Sequence, residues 1–285
     1  METGPGILER FPGWSGAAGL GVVAADSTRG VPINTIAERM AASYFDAIRR
    51  LCAVTPKGWY AERGTARAAL THSGVATLNA AYDTTLEPDL VALAEMAVEV
   101  GRQAARWSIM VRGEADDEVR ALAARHGLLH LSDVPMLACG AQDVVFRADA
   151  RRREPVRQVR AAEADLYTDT LTRGFEAPEG IFGSLMSGGV LDADSITGYL
   201  AEESGRPVGT GLAMSTSGVV GVFNIAVVPS ARGRGLGREI TEAVLRDGIA
   251  AGADAAYLQS SVMGRALYES MGFGLVETWT LFTAG

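Results

Sequence analysis

One stretch constrains the fold more than any other. The run Val219-Val220-Gly221-Val222-Phe223-Asn224-Ile225-Ala226-Val227-Val228 alternates and is β-branched enough to be a strand. Pro229 ends it, and Arg232-Gly233-Arg234-Gly235-Leu236-Gly237 follows, leading directly into a helix-forming segment over residues 238–250. Glycines let a backbone turn tightly and approach a ligand closely. The start of a helix presents free N–H groups and a partial positive charge. A strand, a glycine loop and a helix in that order therefore predict an α/β architecture with an anion cradle at the helix start.

Three ligands compete for such a cradle. A P-loop requires Gly-Lys-Ser/Thr after its glycines, and this chain has Arg238-Glu239 there. A dinucleotide fold requires Gly-x-Gly-x-x-Gly early in a long β/α unit, whereas Gly233, Gly235 and Gly237 are evenly spaced and close to the chain's end. A plain connector needs no positive charge beside a helix N-terminus, where cations are unfavourable, yet Arg232, Arg234 and Arg238 surround these glycines. An anion offsets them.

Elsewhere the pattern is mixed α and β. Residues 1–33 are rich in Gly and Ala without a period and form an irregular arm. Residues 34–51 carry Ile36, Met40, Tyr44, Phe45 and Ile48 on one helical face. Strands are expected at 58–61, 75–80 and 107–111, helices at 87–105 and 114–126, and a strand opening at 136–138. Arg151-Arg152-Arg153 and Pro155 mark a linker. Beyond it the expected order is a strand at 156–160, helices near 161–173 and 178–186, a strand pair at 196–202 and 208–214, the loop unit, a strand at 255–260, a helix at 264–271 and a last strand at 275–283.

The two parts resemble each other. Gly74 to Asn79 matches Gly221 to Ala226 in kind, and Ala121 to Leu128 aligns with Ala266 to Phe273, each a helix end, a glycine stop and a large apolar residue. This gives an arm at 1–33, one domain at 34–150 and a second at 151–285, each a mixed, mostly antiparallel sheet flanked by helices.

The segment Val227-Val228-Pro229-Ser230-Ala231-Arg232-Gly233-Arg234-Gly235-Leu236-Gly237 resembles the Arg/Gln-x-x-Gly-x-Gly/Ala loop of the GCN5-related N-acetyltransferase (GNAT) family. Leu258 to Phe273, with Ala266-Leu267-Tyr268-Glu269 and Gly272-Phe273, resembles that family's Asn-x-x-Ala, Leu-Tyr-Glu and Gly-Phe block. The likeness implies tandem acetyltransferase-like domains and acetyl-CoA as co-substrate. It implies a bulged strand, Ile225, Ala226 and Val227, beside the pantetheine arm. Backbone amides from Gly233 through Arg234, Gly235, Leu236 and Gly237 to Arg238 would hold the pyrophosphate, with Arg232 at the loop's head. Tyr268 would protonate the departing thiolate, as a phenol is a donor at neutral pH. Ser261 stands where the family often has Asn and would still donate to the cofactor arm. Asn224 lies near the expected base and cannot act as one; Glu176, Glu179, Glu202 and Glu203 are the carboxylates nearby in sequence.

In the first domain, residues 83–89 stand where the glycine loop stands in the second, without a glycine and with three acidic residues, and Ala123 stands in place of Tyr268. The first copy thus resembles a degenerate acetyltransferase domain whose role is to complete the core and wall the acceptor site, with Trp59, Tyr60 and Tyr82 as aromatic candidates. The expected reaction is acetyl transfer to a primary amine of a small molecule or amino-group acceptor. An acyl-CoA sensor without turnover and an acyltransferase for longer acyl groups remain open.

Composition narrows the rest. A net charge of −8 over 285 residues argues against nucleic-acid binding. No apolar run spans a membrane and the N-terminus lacks a basic leader, so the expected location is cytoplasmic. Cys52 and Cys139 are far apart, and His72, His126 and His130 show no ligand spacing, so no metal is expected. A homodimer is compatible with all of this.

Overall fold

The computed structural model describes residues 33–147, 156–183 and 185–285. The expected arm and the arginine linker lie outside these residues. The rest forms one 11-stranded sheet between two helical layers, with strand order β1-β2-β3-β4-β11-β5-β10-β9-β8-β7-β6.

The first half contributes α1 (Ile33–Val54), β1 (Trp59–Arg63), β2 (Ala66–Leu70), β3 (Asn79–Asp83), α2 (Leu90–Gln103), β4 (Ser108–Arg112), α3 (Asp117–Arg125) and β5 (His130–Gly140). The second contributes β6 (Arg157–Val159), α4 (Ala164–Gly174), β7 (Ile196–Glu203), β8 (Arg206–Thr216), β9 (Val219–Val227), α5 (Leu236–Ala250), β10 (Ala255–Gln259), α6 (Val262–Glu269) and β11 (Gly274–Thr283). Both halves run an antiparallel meander, a helix, a parallel strand, a helix and an antiparallel strand. The ends of α3 and α6 superpose in pattern: Leu128 N donates to Ala123 O and Phe273 N to Tyr268 O, both at 3.1 Å, around Gly127 and Gly272 with φ of 72° and 97°. Only glycine adopts that left-handed stop at low cost.

The last strands cross over. β5 of the first half pairs with β10 of the second, and β11 of the second inserts between β4 and β5 of the first. The sheet thus runs unbroken through both halves, and its middle depends on strands from each.

Side chains alternate along these central strands and define the layers. On β5, Val134, Met136 and Ala138 join a core under α1, while Leu137 and Cys139 face α5. On β11, Trp279 and Leu281 face α1 and Phe282 faces α2 and α3. So α1 and α4 cover one face, and α2, α3, α5 and α6 the other. Helix α1 reaches both halves: Arg39 pairs with Asp254, and Ala47 and Leu51 pack with the α4 core.

Two expectations differ, and one strand has no counterpart among them. The run near 75–80 is not a strand; residues Ala76–Leu78 form a 3₁₀ turn before β3. The Asn79 side chain accepts from Thr71 N and His72 N and donates to Ser73 O, so side-chain bonds to the backbone displace ladder pairing. The match of Gly74–Asn79 to the β9 bulge fails with it. In place of the helix expected at 178–186, residues 178–183 and 185–186 form turns and bends, because Pro178, Gly180 and Gly183 interrupt the run. Strand β2, an alanine-rich segment of weak β propensity, is imposed by β1 and β3 on either side.

Five tyrosines, Tyr44, Tyr82, Tyr167, Tyr199 and Tyr257, are buried, and burial raises each phenol's pKa above its usual value. Unfolding lets them ionise near pH 10, so above that pH the unfolded chain holds fewer protons than the native one. Stability should therefore hold up to about pH 10 and fall above it, each phenol contributing about 1.4 kcal/mol per pH unit. Denaturant midpoints at pH 8, 10 and 11 measure this; a midpoint unchanged at pH 11 would contradict it.

Candidate functional site

The site forms where β9 and β10 part. They pair in parallel only through Val219–Gly221 and Ala255–Tyr257. Past Gly221 the two strands run on unpaired with each other, to Val227 and Gln259. A bulge turns β9 outward there: Thr210 faces Ala226 and Leu212 faces Phe223, so β9 carries one extra residue. Asn224 sits in the bulge at φ 53°, a left-handed conformation that Asn tolerates better than most residues. Thr210 Oγ1 donates to Asn224 O at 2.8 Å and holds it. The sequence expectation puts the bulge and splay at Ile225, Ala226 and Val227; the extra residue falls at Asn224–Ile225, while Ala226 and Val227 face Thr210 and Gly209 in register. Ala226 is buried against Gly174, where an added Cβ would come within 2.9 Å of the Ala226 methyl.

After β9, Pro229–Ala231 makes a 3₁₀ turn and the chain passes Gly233 (φ 75°) and Gly235 (φ 85°) into α5. Gly235 is the N-cap of α5 and offers no side-chain acceptor. Among the described residues no acceptor meets the amides of Leu236, Gly237 and Arg238. These are the open donors that a helix N-terminus uses to hold an anion. The first half contrasts with it: Asp89 caps α2, accepting from Val91 N at 3.1 Å and Ala92 N at 3.0 Å, while Asp83 accepts from Asp89 N. The connection is also shorter there. From the strand residue that opens the parallel pairing to the helix start runs Ala80 to Leu90 in the first half and Val219 to Leu236 in the second.

The loop arginines do not stand as bare cations. Arg232 donates to Val227 O and Gly174 O and pairs with Glu176 at 2.8 Å. Arg234 pairs with Glu203 at 2.9 Å and donates to Ser230 O. Arg238 pairs with Glu242 at 3.0 Å and donates to Ser270 Oγ and Val145 O. Carboxylates thus offset the charge that the sequence suggested an anion must offset. The arginines brace the loop against α4, β7 and α6, and the open α5 amides carry the case for an anion. Three of the four nearby carboxylates are occupied in ion pairs, Glu176 with Arg232, Glu202 with Arg157 and Glu203 with Arg234.

Helix α6 flanks the same cleft. Ser261 is its N-cap and accepts from Gly264 N at 3.2 Å, leaving its hydroxyl proton available. Tyr268 lies half-buried with Ile225, Val227 and Leu236 in one apolar cluster. Its ring passes so close to Gly264 that a Cβ there would sit 2.9 Å from it, and it meets Phe273 edge-on at 6.1 Å. Burial pushes its pKa up to about 12. No hydrogen-bond partner for its hydroxyl occurs among the described residues, so a protonated donor stands ready in the cleft. Gln259, at the end of β10, was not singled out from sequence; its Nε2 is buried without a partner. No residue-type pattern signals it, since only the fold shows that this amide is buried and unmatched.

Among the described residues no group of His, Cys, Asp and Glu is placed to hold a metal ion, and no helix is long and apolar enough to cross a membrane.

Residues 194–274, which include β7 to α6, match the acetyltransferase (GNAT) domain. In fold the chain is similar to a GCN5-related N-acetyltransferase from Kribbella flavida (TM-score 0.61, 19% identity, 87% of this chain and 95% of that one). It is also similar to a functionally unknown conserved protein from Staphylococcus epidermidis (TM-score 0.58, 15% identity, 80% and 94%). A third likeness is to a GCN5-related N-acetyltransferase from Sphaerobacter thermophilus (TM-score 0.53, 17% identity, 77% and 76%). Among curated proteins none matches the chain in sequence.

Proposed function

We propose that this chain, whose residues 194–274 match the acetyltransferase (GNAT) domain, transfers an acetyl group from acetyl-CoA to a primary amine by direct attack. The observation that carries the reading is the splayed edge of β9 leading into an uncapped α5, with an unpartnered phenol beside it. Each unmet group has a counterpart in this co-substrate. The amides of Gly233 to Arg238 suit its pyrophosphate, the free edge of Ile225 to Val227 suits the amide groups of its pantetheine arm, and Ser261 can donate to that arm.

The chain's residues then divide the work. The backbone N–H of Val227, on the edge of β9 turned away from β8, polarises the thioester carbonyl and stabilises the oxyanion formed on attack. The loop and strand hold the thioester in one orientation, which lowers the entropic cost of reaction. Tyr268 gives its proton to the thiolate as the carbon–sulfur bond breaks. A half-buried phenol held protonated suits that step.

The first half is best read as a degenerate copy that lost this chemistry. Asp89 fills the helix start that α5 leaves open, the connection before α2 is short, and Ala123 occupies the place of Tyr268. Its remaining contribution is strand β5, loop 71–78 and part of the floor under α1.

Calorimetric titration with acetyl-CoA, with free CoA as control, tests the reading. One saturable site per chain is expected. Two sites would contradict a dead first copy, and none would remove the acetyl-CoA assignment. Gly235→Glu places a carboxylate at the helix start and a side chain at a left-handed φ, a strain of about 1–2 kcal/mol. It should fold with a slightly lower midpoint and lose CoA binding at least hundredfold; retained affinity would count against the loop. Turnover with a panel of amines separates an enzyme from a sensor, and comparing acetyl- with longer acyl-CoA separates the acyl groups.

A further inference from the structure

We infer that Arg147, contributed by the chain that leaves the first half, binds the phosphate groups of the CoA co-substrate at the start of α5. This rests on the acetyl-CoA reading above and extends it to a residue outside the matched domain. Residues 144–147 are strapped across the second half. Val145 N donates to Met271 O at 3.0 Å, Val145 O accepts from Arg238 at 2.8 Å, and Arg147 N donates to Glu242 Oε1 at 3.0 Å. Val144 and Phe146 anchor the strap in the apolar cluster that holds Tyr268, and the Arg246 guanidinium covers the Phe146 ring at 4.9 Å.

This strap delivers the Arg147 guanidinium to the glycine loop. Its Nη1 lies 2.9 Å, and its Nη2 3.4 Å, from the point a Cβ on Gly235 would occupy. The side chain makes no hydrogen bond or ion pair among the described residues. That separates it from Arg232, Arg234 and Arg238, whose charges are matched by Glu176, Glu203 and Glu242. An unmatched cation against the positive end of a helix is electrostatically unfavourable. Its held position is favourable once an anion sits between it and the amides. A guanidinium offers two parallel donors to phosphate oxygens, which an amide cradle alone does not. The Gly235 position must then stay without a side chain for two reasons, its left-handed φ and the space the guanidinium uses.

CoA carries two phosphate sources, the pyrophosphate and the 3′-phosphate, and calorimetry with CoA and with 3′-dephospho-CoA separates them. Arg147→Gln keeps the backbone bond to Glu242 and changes only an exposed side chain, so the full-length variant should keep the wild-type melting temperature. It should bind CoA at least tenfold more weakly. Equal weakening toward dephospho-CoA assigns Arg147 to the pyrophosphate; weakening toward CoA alone assigns it to the 3′-phosphate. Wild-type affinity of Arg147→Gln for CoA would overturn the inference and leave the loop reading intact, since that reading stands or falls with Gly235→Glu. A wild-type protein that binds neither form would overturn both.

Discussion

Replacing Glu277 with Ala should lower stability by about 3 kcal/mol, at the low end for breaking one arm of a buried ion pair. Arg112, 2% exposed, projects from β4 beneath α1. All five of its N–H groups are used: Nε and Nη2 donate to Glu277, Nη1 and Nη2 to Glu38 at 2.8 Å, and Nη1 to Thr84 O at 3.0 Å. Burial opposes the guanidinium charge, and the hydrogen bonds to both carboxylates outweigh it and keep the group charged. The Glu38 carboxyl is held below its usual pKa chiefly by its hydrogen bonds to Arg112. The two acids are unequal, however. Glu277 is 10% exposed and Glu38 60%, so water can replace Glu38 and not Glu277. Glu38→Ala should therefore cost about 1 kcal/mol or less, in the range of exposed pairs. For a chain of this size the Glu277→Ala loss corresponds to roughly 6–12 °C in melting temperature. Pairing Arg112→Met with Glu277→Leu should recover most of it, because a packed apolar pair avoids the desolvation cost. Calorimetric melting of the four proteins measures this, and equal losses for Glu38→Ala and Glu277→Ala would refute the assignment of β11's anchor to Glu277.

That anchor explains what a linear reading of the chain misses. Glu38, Arg112 and Glu277 lie on three elements far apart in sequence, and no local pattern joins them. What the sequence does show follows from local chemistry. The glycine stops at Gly127 and Gly272 are set by neighbouring residues. The crossing of β5 and β11 is set by pairing between distant strands. Strand β5 is longer than its sequence suggests because Pro135 interrupts the pattern. Proline is tolerated there because it stands at the end of the β10 pairing, where Ser260 N donates to Pro135 O at 3.0 Å and only the return bond is missing.

The site divides in the same way. The glycine loop, a bulge in β9, Ser261 and Tyr268 are legible as candidates because local stretches of chain carry them. The role of the arginines is not, since whether a guanidinium is free depends on which carboxylates fold toward it. Glu176, Glu203 and Glu242 do, and the charge that seemed to call for a ligand is mostly met within the protein. Arg147 and Gln259 were invisible for the converse reason: each becomes notable only through the partner it lacks.

Tyr268→Phe should lower kcat by about hundredfold or more while changing the affinity for acetyl-CoA little, because it removes a proton donor and no cofactor contact. Phenylalanine keeps the ring against Gly264 and Phe273, so the variant should melt as the wild type does. The pH profile distinguishes a proton donor from a packing residue. The phenol's pKa is pushed up to about 12 by burial, so the hydroxyl stays protonated through the range in which the enzyme is folded. On the wild type, kcat should therefore show no alkaline fall assignable to this group below about pH 11, while an ordinary exposed phenol would begin to lose its proton near pH 10. The rate limit in Tyr268→Phe becomes departure of an unprotonated thiolate, so its activity should recover with acyl donors whose thiol is more acidic. Such leaving groups need less help from an acid, and the gap between wild type and variant should narrow as the leaving-group pKa falls. A gap that stays constant across thioesters of different thiol acidity would mean that the ring, and not the proton, is what the reaction uses.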